Sequence, residues 1–416
     1  MDVTVTPGRL GGEVRAIASK SDAHRKLICA ALADKPTTLQ MSTMSEDIAA
    51  TIGCLRALGA DICASKDEVN ITPIIKVPDE PLLDCRESGS TFRFMLPVAA
   101  ALSERVSFTG SGRLPDRPIS ALMDAMKANG VAFSAEKLPF TTRGKLKSGE
   151  FILPGNISSQ YITGLLLALP VLDGESSIRL TTPLESAGYV DITVSALQGF
   201  GVKAEVHDRE YRVSGGGYRS PGGLCVDGDW SNAAFFLAAG AIGNAVAVSG
   251  LSMDSPQGDK KIIDIISNFG GYVNINNDAV TVRPAQLHGA AIDMREVPDL
   301  APILAVLACW AQGEPRLVNA GRLRLKESDR LAAIAAMLRA LGGVVREMPD
   351  GLVIRGGALN GGRVDSFHDH RMVMAAAIAS IVCKGPVTIL DAGAVSKSYP
   401  AFFEDFKALG GECRVI

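Results

Sequence analysis

Ala57-Leu58-Gly59-Ala60-Asp61-Ile62 reads as the end of one element and the start of the next. Glycine directly behind an amphipathic stretch closes a helix in the left-handed conformation, where it has no Cβ to clash, and the residues after it begin a strand. The same pattern recurs as Ala128-Asn129-Gly130-Val131-Ala132-Phe133, Gly199-Phe200-Gly201-Val202-Lys203-Ala204, Asn268-Phe269-Gly270-Gly271-Tyr272-Val273, Ala340-Leu341-Gly342-Gly343-Val344-Val345 and Ala408-Leu409-Gly410-Gly411-Glu412-Cys413. The aligned glycines at 59, 130, 201, 270, 342 and 410 are separated by 71, 71, 69, 72 and 68 residues. So regular a period is a six-fold internal repeat.

Upstream of the glycines, Ser45-Glu46-Asp47 before Ile48–Leu58 and Ser328-Asp329-Arg330 before Leu331–Leu341 have the hydroxyl or acid start of a helix N-cap. Downstream, Val69-Asn70-Ile71 and Ala279-Val280-Thr281-Val282 alternate as half-exposed strands do. The fold class is therefore α/β by repetition. A unit of this length exceeds common solenoid repeats, and six copies are accommodated more economically by two closed domains of three units than by an open array. The strand after Gly410 has barely begun at Ile416, so its partner comes from elsewhere, and Val3-Thr4-Val5 can supply it. A tandem duplication without that closure is the alternative the pattern leaves open.

The chain has 416 residues, enough for two or three domains at roughly 150 residues each. Its 42 Lys and Arg against 45 Asp and Glu give a net charge of −3, which excludes a nucleic-acid-wrapping protein. With 47% hydrophobic and 21% charged residues it has the composition of a folded chain. Apolar runs such as Ala233–Gly243 and Leu300–Ala311 stop well short of the ~20 residues a bilayer span needs, and read as buried helices. Met1-Asp2-Val3-Thr4-Val5 carries an acid where a signal peptide is basic, so a cytoplasmic protein is expected. Eight scattered cysteines without a Cys-x-x-Cys pair read as reduced, mostly buried thiols, and five histidines, only 368 and 370 close in sequence, suggest no metal site.

The repeat does not need its segments rich in hydroxyl, glycine and cationic residues. They are Ser19-Lys20-Ser21-Asp22-Ala23-His24-Arg25, Arg86-Glu87-Ser88-Gly89-Ser90-Thr91-Phe92-Arg93, Ile157-Ser158-Ser159-Gln160-Tyr161, Lys326-Glu327-Ser328-Asp329-Arg330 and His368-Asp369-His370-Arg371. Each alone reads as a cap, a turn or a surface ion-pair network. Together, on a chain without a general basic coat, Lys20, Arg25, Arg93, Arg117, Lys326, Arg330, Arg371 and Lys397 are focal cations among small donors, the surroundings that phosphate and carboxylate ligands want. No Walker loop and no dinucleotide fingerprint is present, so the ligand implied is a small, multiply anionic molecule.

These segments resemble the enolpyruvyl transferases, specifically the 5-enolpyruvylshikimate-3-phosphate synthase (3-phosphoshikimate 1-carboxyvinyltransferase) family. The resemblance runs in order through Ser19-Lys20-Ser21, Gly89 to Arg93, Asp116-Arg117-Pro118-Ile119, Ser158-Ser159-Gln160, Asp227-Gly228-Asp229, Val297-Pro298-Asp299, Lys326 to Arg330 and Asp369-His370-Arg371-Met372. It implies two globular domains of three βαβαββ-type units each, an inverse α/β barrel arrangement. Residues 1–18 with 227–416 would form a discontinuous domain and 19–226 the second, with the active site in the cleft between them.

The resemblance further implies transfer of the enolpyruvyl group of phosphoenolpyruvate to the 5-hydroxyl of shikimate 3-phosphate, in the shikimate pathway of aromatic amino-acid and chorismate biosynthesis. The enzyme would be a cytoplasmic monomer and a glyphosate target, with no metal or organic cofactor and no nucleic-acid or membrane partner. Shikimate 3-phosphate would be held by Lys20, Ser21, Arg25, Ser158, Ser159, Gln160, Ser186, Asp299 and Lys326, and phosphoenolpyruvate by Lys20, Gly89, Arg117, Gln160, Arg330, Arg371 and Lys397. Asp299 would take the 5-hydroxyl proton, while Glu327 and Lys20 would serve the enol carbon and the leaving phosphate.

The chain departs from the family pattern at Glu87-Ser88-Gly89 before Ser90, at Phe94 where Pro is usual, at Arg322 where Asn is usual, and at Ala187-Gly188 before Tyr189. A sister transferase acting on UDP-N-acetylglucosamine carries a reactive cysteine near the position of Arg117, which Asp116-Arg117-Pro118 lacks. A non-catalytic anion binder is disfavoured by the two acids Asp299 and Glu327, which anion binding alone would not keep.

Overall fold

The computed structural model describes residues 1–276 and 279–416. All six repeat glycines have positive φ: +104° at Gly59, +98° at Gly130, +75° at Gly201, +89° at Gly270, +86° at Gly342 and +92° at Gly410. Each closes its helix with the same pair of bonds. At the first, Gly59 N–H donates to Arg56 O (2.9 Å) and Ala60 N–H to Leu55 O (3.0 Å). At the last, Gly410 N–H donates to Lys407 O (2.9 Å) and Gly411 N–H to Phe406 O (3.0 Å). This double closure satisfies carbonyls that a helix end otherwise leaves open, and it requires a left-handed residue.

The chain divides into two compact units, Ala18–Val226 and Met1–Ile17 with Asp227–Ile416. The first contains α1 (Lys20–Ala31), α2 (Glu46–Ala57), α3 (Gly89–Leu102), α4 (Ser120–Ala128), α5 (Ser159–Ala168) and α6 (Ala187–Gly199). The second contains α7 (Trp230–Ile242), α8 (Ile262–Asn268), α9 (Ala301–Trp310), α10 (Arg330–Ala340), α11 (His370–Ala379) and α12 (Phe402–Ala408). Even-numbered helices end at the repeat glycines and are amphipathic. Odd-numbered helices are buried almost all round, every residue of α7 and α11 included, and form the core of each unit. No described helix is long and apolar enough to cross a membrane.

Each repeat makes one four-stranded sheet, so each unit has three. In the repeat holding α5 and α6, Glu150–Leu153 pairs parallel with Glu175–Leu180, which pairs antiparallel with Glu210–Ser214, itself antiparallel to Ala204–His207. The parallel pair is bridged by a buried helix, as a crossover requires, and the antiparallel pair by a tight turn.

Some repeats are completed from far away in sequence. Val3–Thr6 lies between Val387–Leu390 and Glu412–Val415, with Val3 opposite Ile389 and Val415, so the first strand completes the last repeat. Gly12–Arg15 pairs parallel with Val246–Ser249. In the other unit Gly223–Cys225 pairs parallel with Thr37–Gln40, completing the repeat of α1 and α2.

Five of the eight cysteines are buried and all eight are unbridged; the core reading does not extend to Cys63 and Cys225, which are exposed on strands.

Candidate active site

Six residues at the entries to the buried helices share one repeat position. They are Ser19, Ser88, Ser158, Asp229, Asp299 and Asp369, spaced by 69, 70, 71, 70 and 70 residues. Five act as caps. Ser19 accepts from Asp22 N (3.4 Å), Ser88 from Thr91 N (3.2 Å), Ser158 from Gln160 N (3.3 Å), Asp229 from Asn232 N (2.8 Å) and Asp369 from Arg371 N (3.0 Å). Asp299 is not the N-cap of its helix, a position that Leu300 holds. It lies in the 3-10 turn Pro298–Leu300 that leads into α9, and its carboxylate is turned instead onto three cations.

In the Ala18–Val226 unit, neutral serine caps on α3 and α5, with no acid in either first turn, leave the positive helix ends uncompensated, which suits an anionic ligand; α1 has Asp22 in its first turn. Gly89, the first residue of α3, is the close-approach point: a Cβ there would lie 2.4 Å from Arg117 Nη1 and 2.7 Å from Arg93 Nη1. Only glycine lets two guanidinium groups crowd that helix start. Arg93 donates to Gln160 Oε1 (2.9 Å) and to Pro118 O (2.9 Å), and Gln160 Nε2 donates to Ser90 Oγ (3.0 Å), tying α3 to α5. The two helices can meet because Gly164 has no side chain; a Cβ would sit 2.1 Å from Arg93 O. Pro97 returns no N–H to that carbonyl, which faces α5 instead. Lys20, at the start of α1, is paired with Asp47 at 2.7 Å.

Arg25 is the most enclosed of the expected site cations in this unit. It is 2% exposed, and its guanidinium donates to Thr193 Oγ1 (2.8 Å), Thr163 Oγ1 (3.3 Å), Tyr189 O (2.8 Å) and Ser21 O. It lies 4.9 Å above the Phe94 ring. Burial pulls its pKa down to about 10 against the opposing influence of Asp22, so it stays cationic at neutral pH. Phe94, the departure from the family's Pro, is thus the surface on which Arg25 is stacked, and His24 meets the same ring edge-on. Ser186, at the start of α6, is buried with φ +59°. Ser158 and Ser159 open α5.

In the other unit the sequence-predicted acids and cations do converge. Asp299 Oδ1 receives Lys326 Nζ (3.2 Å) and Arg330 Nη1 (2.7 Å), and Oδ2 receives Arg371 Nη2 (3.0 Å). Arg330, only 1% exposed, also holds Glu327 (2.7 Å) and Asp369 (2.8 Å). Burial disfavours the Arg330 charge, but Asp369, Glu327 and Asp299 outweigh it and hold its pKa well above the usual value. Asp369 is likewise buried, which alone would raise its pKa; Arg330 and His370 reverse the sign and hold it low. Burial lowers the Lys326 pKa, with Asp299 opposing. Lys397 reaches the same region, donating to His368 O (2.8 Å) beside Asp369.

Sequence reasoning singled out Arg93 as a cation without giving it a site role, and it overlooked Asp47, Asp259 and Ser328. Ser328 donates to Asp369 (3.0 Å) and was in plain view beside Glu327. Asp259 came from the 3-10 helix Gly258–Lys261, a segment with no chemical signature of its own.

Six βαβαββ repeats, with cations and carboxylates gathered at the starts of their buried helices, define a two-unit α/β enzyme for small anionic ligands. The family described as EPSP synthase (3-phosphoshikimate 1-carboxyvinyltransferase) matches residues 5–406. A 3-phosphoshikimate 1-carboxyvinyltransferase of Clostridium novyi is 42% identical over 99% of this chain and 98% of its own length. Its counterpart in Clostridium kluyveri is 42% identical over 99% and 97%. The structure of EPSP synthase from Acinetobacter baumannii superposes with a TM-score of 0.85 at 25% identity, covering 100% of both chains. The chain belongs to the EPSP synthase family.

Proposed function

We propose that the chain transfers the enolpyruvyl group of phosphoenolpyruvate to the 5-hydroxyl of shikimate 3-phosphate, releasing phosphate. One observation carries the chemistry: Asp299 and Glu327 are both held, at 2.7 Å, by the single buried Arg330. The reaction needs one group to remove the hydroxyl proton and another to protonate the enol carbon, and two carboxylates in one cationic cluster can divide those tasks. The ether C–O bond forms at C2 as Asp299 takes the hydroxyl proton and the neighbouring carbon gains one. The tetrahedral adduct then loses phosphate and returns that carbon's proton, with Glu327 and Lys20 as the transfer groups.

Phosphoenolpyruvate is assigned to Lys20, Gly89, Arg117, Gln160, Arg330, Arg371 and Lys397, and shikimate 3-phosphate to Lys20, Ser21, Arg25, Ser158, Ser159, Gln160, Ser186, Asp299 and Lys326. Arg25 also fixes the Ser21 carbonyl and the start of α6 through its protein contacts. The cations lower the repulsion between two anions brought together. The working form in this reading is a cytoplasmic monomer, a location compatible with eight unbridged cysteines.

Asp299→Asn tests the assignment of the base. Turnover is expected to fall by about a hundredfold or more, the usual scale for a general base, with substrate binding by calorimetry within a few fold. Unchanged turnover removes Asp299 from that role.

A further inference from the structure

Two loops in the Asp227–Ile416 unit surround Lys397. Gly362–Asp365 and Val387–Leu390 are parallel neighbours with Asp365 opposite Leu390, so the loops that follow them leave one end of one sheet side by side. One loop, residues 366–369, leads into α11, and the other passes through Asp391 into the 3-10 helix Ala392–Lys397. Both are left-handed without glycine: φ is +51° at Phe367, +56° at His368 and +50° at Asp391. Such residues are uncommon, and they persist only where their surroundings over-determine them.

The hydrogen bonds here do that. Phe367 N–H donates to Asp365 Oδ1 (2.7 Å), His368 N–H to Ser366 Oγ (3.2 Å) and Asp369 N–H to Ser366 O (3.0 Å). Ser366 Oγ donates in turn to Asp391 O (3.2 Å), and Asp391 N–H to Asp2 Oδ1 (2.9 Å). Side chains join the loops a second time: His368 Nδ1 lies 2.5 Å from Asp391 Oδ2, and because an ionised carboxylate only accepts, Nδ1 is the donor. From Asp391 the 3-10 helix runs to Lys397, which is buried and returns its Nζ to His368 O (2.8 Å). His368 therefore meets the lysine at both ends. Its ring holds the residue from which the helix of Lys397 starts, and its carbonyl receives the ammonium.

We propose that His368 is a positioning residue for Lys397, its imidazole tied to Asp391 so that the left-handed turn presents a fixed carbonyl to the ammonium and holds it for phosphoenolpyruvate. This rests on the reading of Lys397 as a ligand of that substrate. An ammonium on a four-carbon stem is a mobile point charge, and a bond to a fixed carbonyl sets its direction while leaving the charge whole. The His368–Asp391 pair is itself exposed, 54% and 45%, and pairs of that kind add little to stability, so its effect is directional. His368 need touch neither substrate.

The test is the steady-state kinetics of His368→Gly, which eases the left-handed backbone and keeps the carbonyl but removes the imidazole. The KM for phosphoenolpyruvate is expected to rise about five- to tenfold and that for shikimate 3-phosphate to stay within about twofold, because only one substrate is assigned to Lys397. The melting midpoint should stay within about 4 °C of the parent, as suits an exposed pair. His368→Asn is the rescue: asparagine tolerates the left-handed region and keeps an amide donor close to the place of Nδ1, so its KM for phosphoenolpyruvate should lie within about twofold of the parent. Asp391→Gly removes the other half of the pair and should reproduce His368→Gly, with the double variant no worse than either.

A phosphoenolpyruvate KM within about twofold of the parent in His368→Gly and Asp391→Gly overturns the proposal. So does an equal rise for both substrates, since a merely structural role does not select one of them, and so does an equal rise in His368→Asn or effects that multiply in the double variant. Lys397→Met, run alongside, separates the two failures. A raised phosphoenolpyruvate KM there with none in His368→Gly leaves the ligand assignment standing and discards His368. An unchanged value there discards the assignment of Lys397 and the proposal with it.

Discussion

Arg330→Met removes a guanidinium that is 1% exposed and holds three carboxylates at 2.7, 2.7 and 2.8 Å. Methionine fills part of the volume, so the loss is chiefly electrostatic. Asp299 keeps Lys326 and Arg371 and is the least affected. Asp369 is fully buried and retains hydrogen bonds from Ser328 and the Arg371 N–H with His370 nearby, and Glu327 loses its 2.7 Å contact to Arg330. Removing one partner from a buried ion pair destabilises by about 3–5 kcal/mol. At roughly 2–4 °C per kcal/mol for a unit of some 200 residues, the melting midpoint should fall by about 6–20 °C.

The pH dependence gives this prediction its signature. In the parent, the folded-state pKa of Asp369 is depressed by Arg330, so its stabilising contribution is present above the unfolded carboxylate range near 3.8 and is lost as pH falls through the lower folded value. In the variant the sign reverses: the buried carboxylate, no longer paired with Arg330, binds its proton more tightly in the folded state than in the unfolded one. The stability difference between parent and variant should therefore be largest at pH 7.5 and shrink toward pH 4.5. Urea unfolding at both pH values measures it. A difference below about 1 kcal/mol at pH 7.5, or one that grows on acidification, would refute the reasoning.

Arg117→Ala should raise the KM for phosphoenolpyruvate at least tenfold while changing that for shikimate 3-phosphate by less than about threefold, since Arg117 lies against the start of α3 at Gly89. Steady-state kinetics with each substrate varied decides it, and equal effects would undo the division of ligands. Gly89→Ala should act on the same parameter, because its Cβ would displace Arg117 by about an ångström. Gly342→Ala forces a Cβ onto a +86° φ and to 2.5 Å from Asn360 Nδ2, and should lower stability by about 1–2 kcal/mol in urea without altering KM for either substrate.

The repeat was readable because its marker is a backbone requirement. A left-handed helix end selects glycine locally, and six such ends at near-equal spacing survive in the sequence whatever packs around them. The strand Val3–Thr6 was readable for a related reason, since Glu412–Val415 needed a neighbour and the chain offered Val3-Thr4-Val5. Gly223–Cys225 was not, because three residues carry no alternation to read.

The cap positions before the buried helices lay in view at the same period, but Ser and Asp are so common at helix starts that each looked like an ordinary cap. Only the structure reveals that Asp299 leaves the capping role for three cations. Arg25 reads as a ligand contact beside Lys20 and Ser21, and what the sequence does not show is that Phe94, Thr163, Tyr189 and Thr193, far away in sequence, fix its guanidinium. Asp259 was illegible because its character comes first from burial, which only the folded unit gives it.

The most direct test of enolpyruvyl transfer is phosphate release from phosphoenolpyruvate by the purified protein, with shikimate 3-phosphate in one reaction and UDP-N-acetylglucosamine in another. The account predicts stoichiometric phosphate with the first acceptor, abolished when the acceptor is omitted, and none with the second. Phosphate released only with UDP-N-acetylglucosamine, or with neither acceptor while both substrates bind, would contradict it.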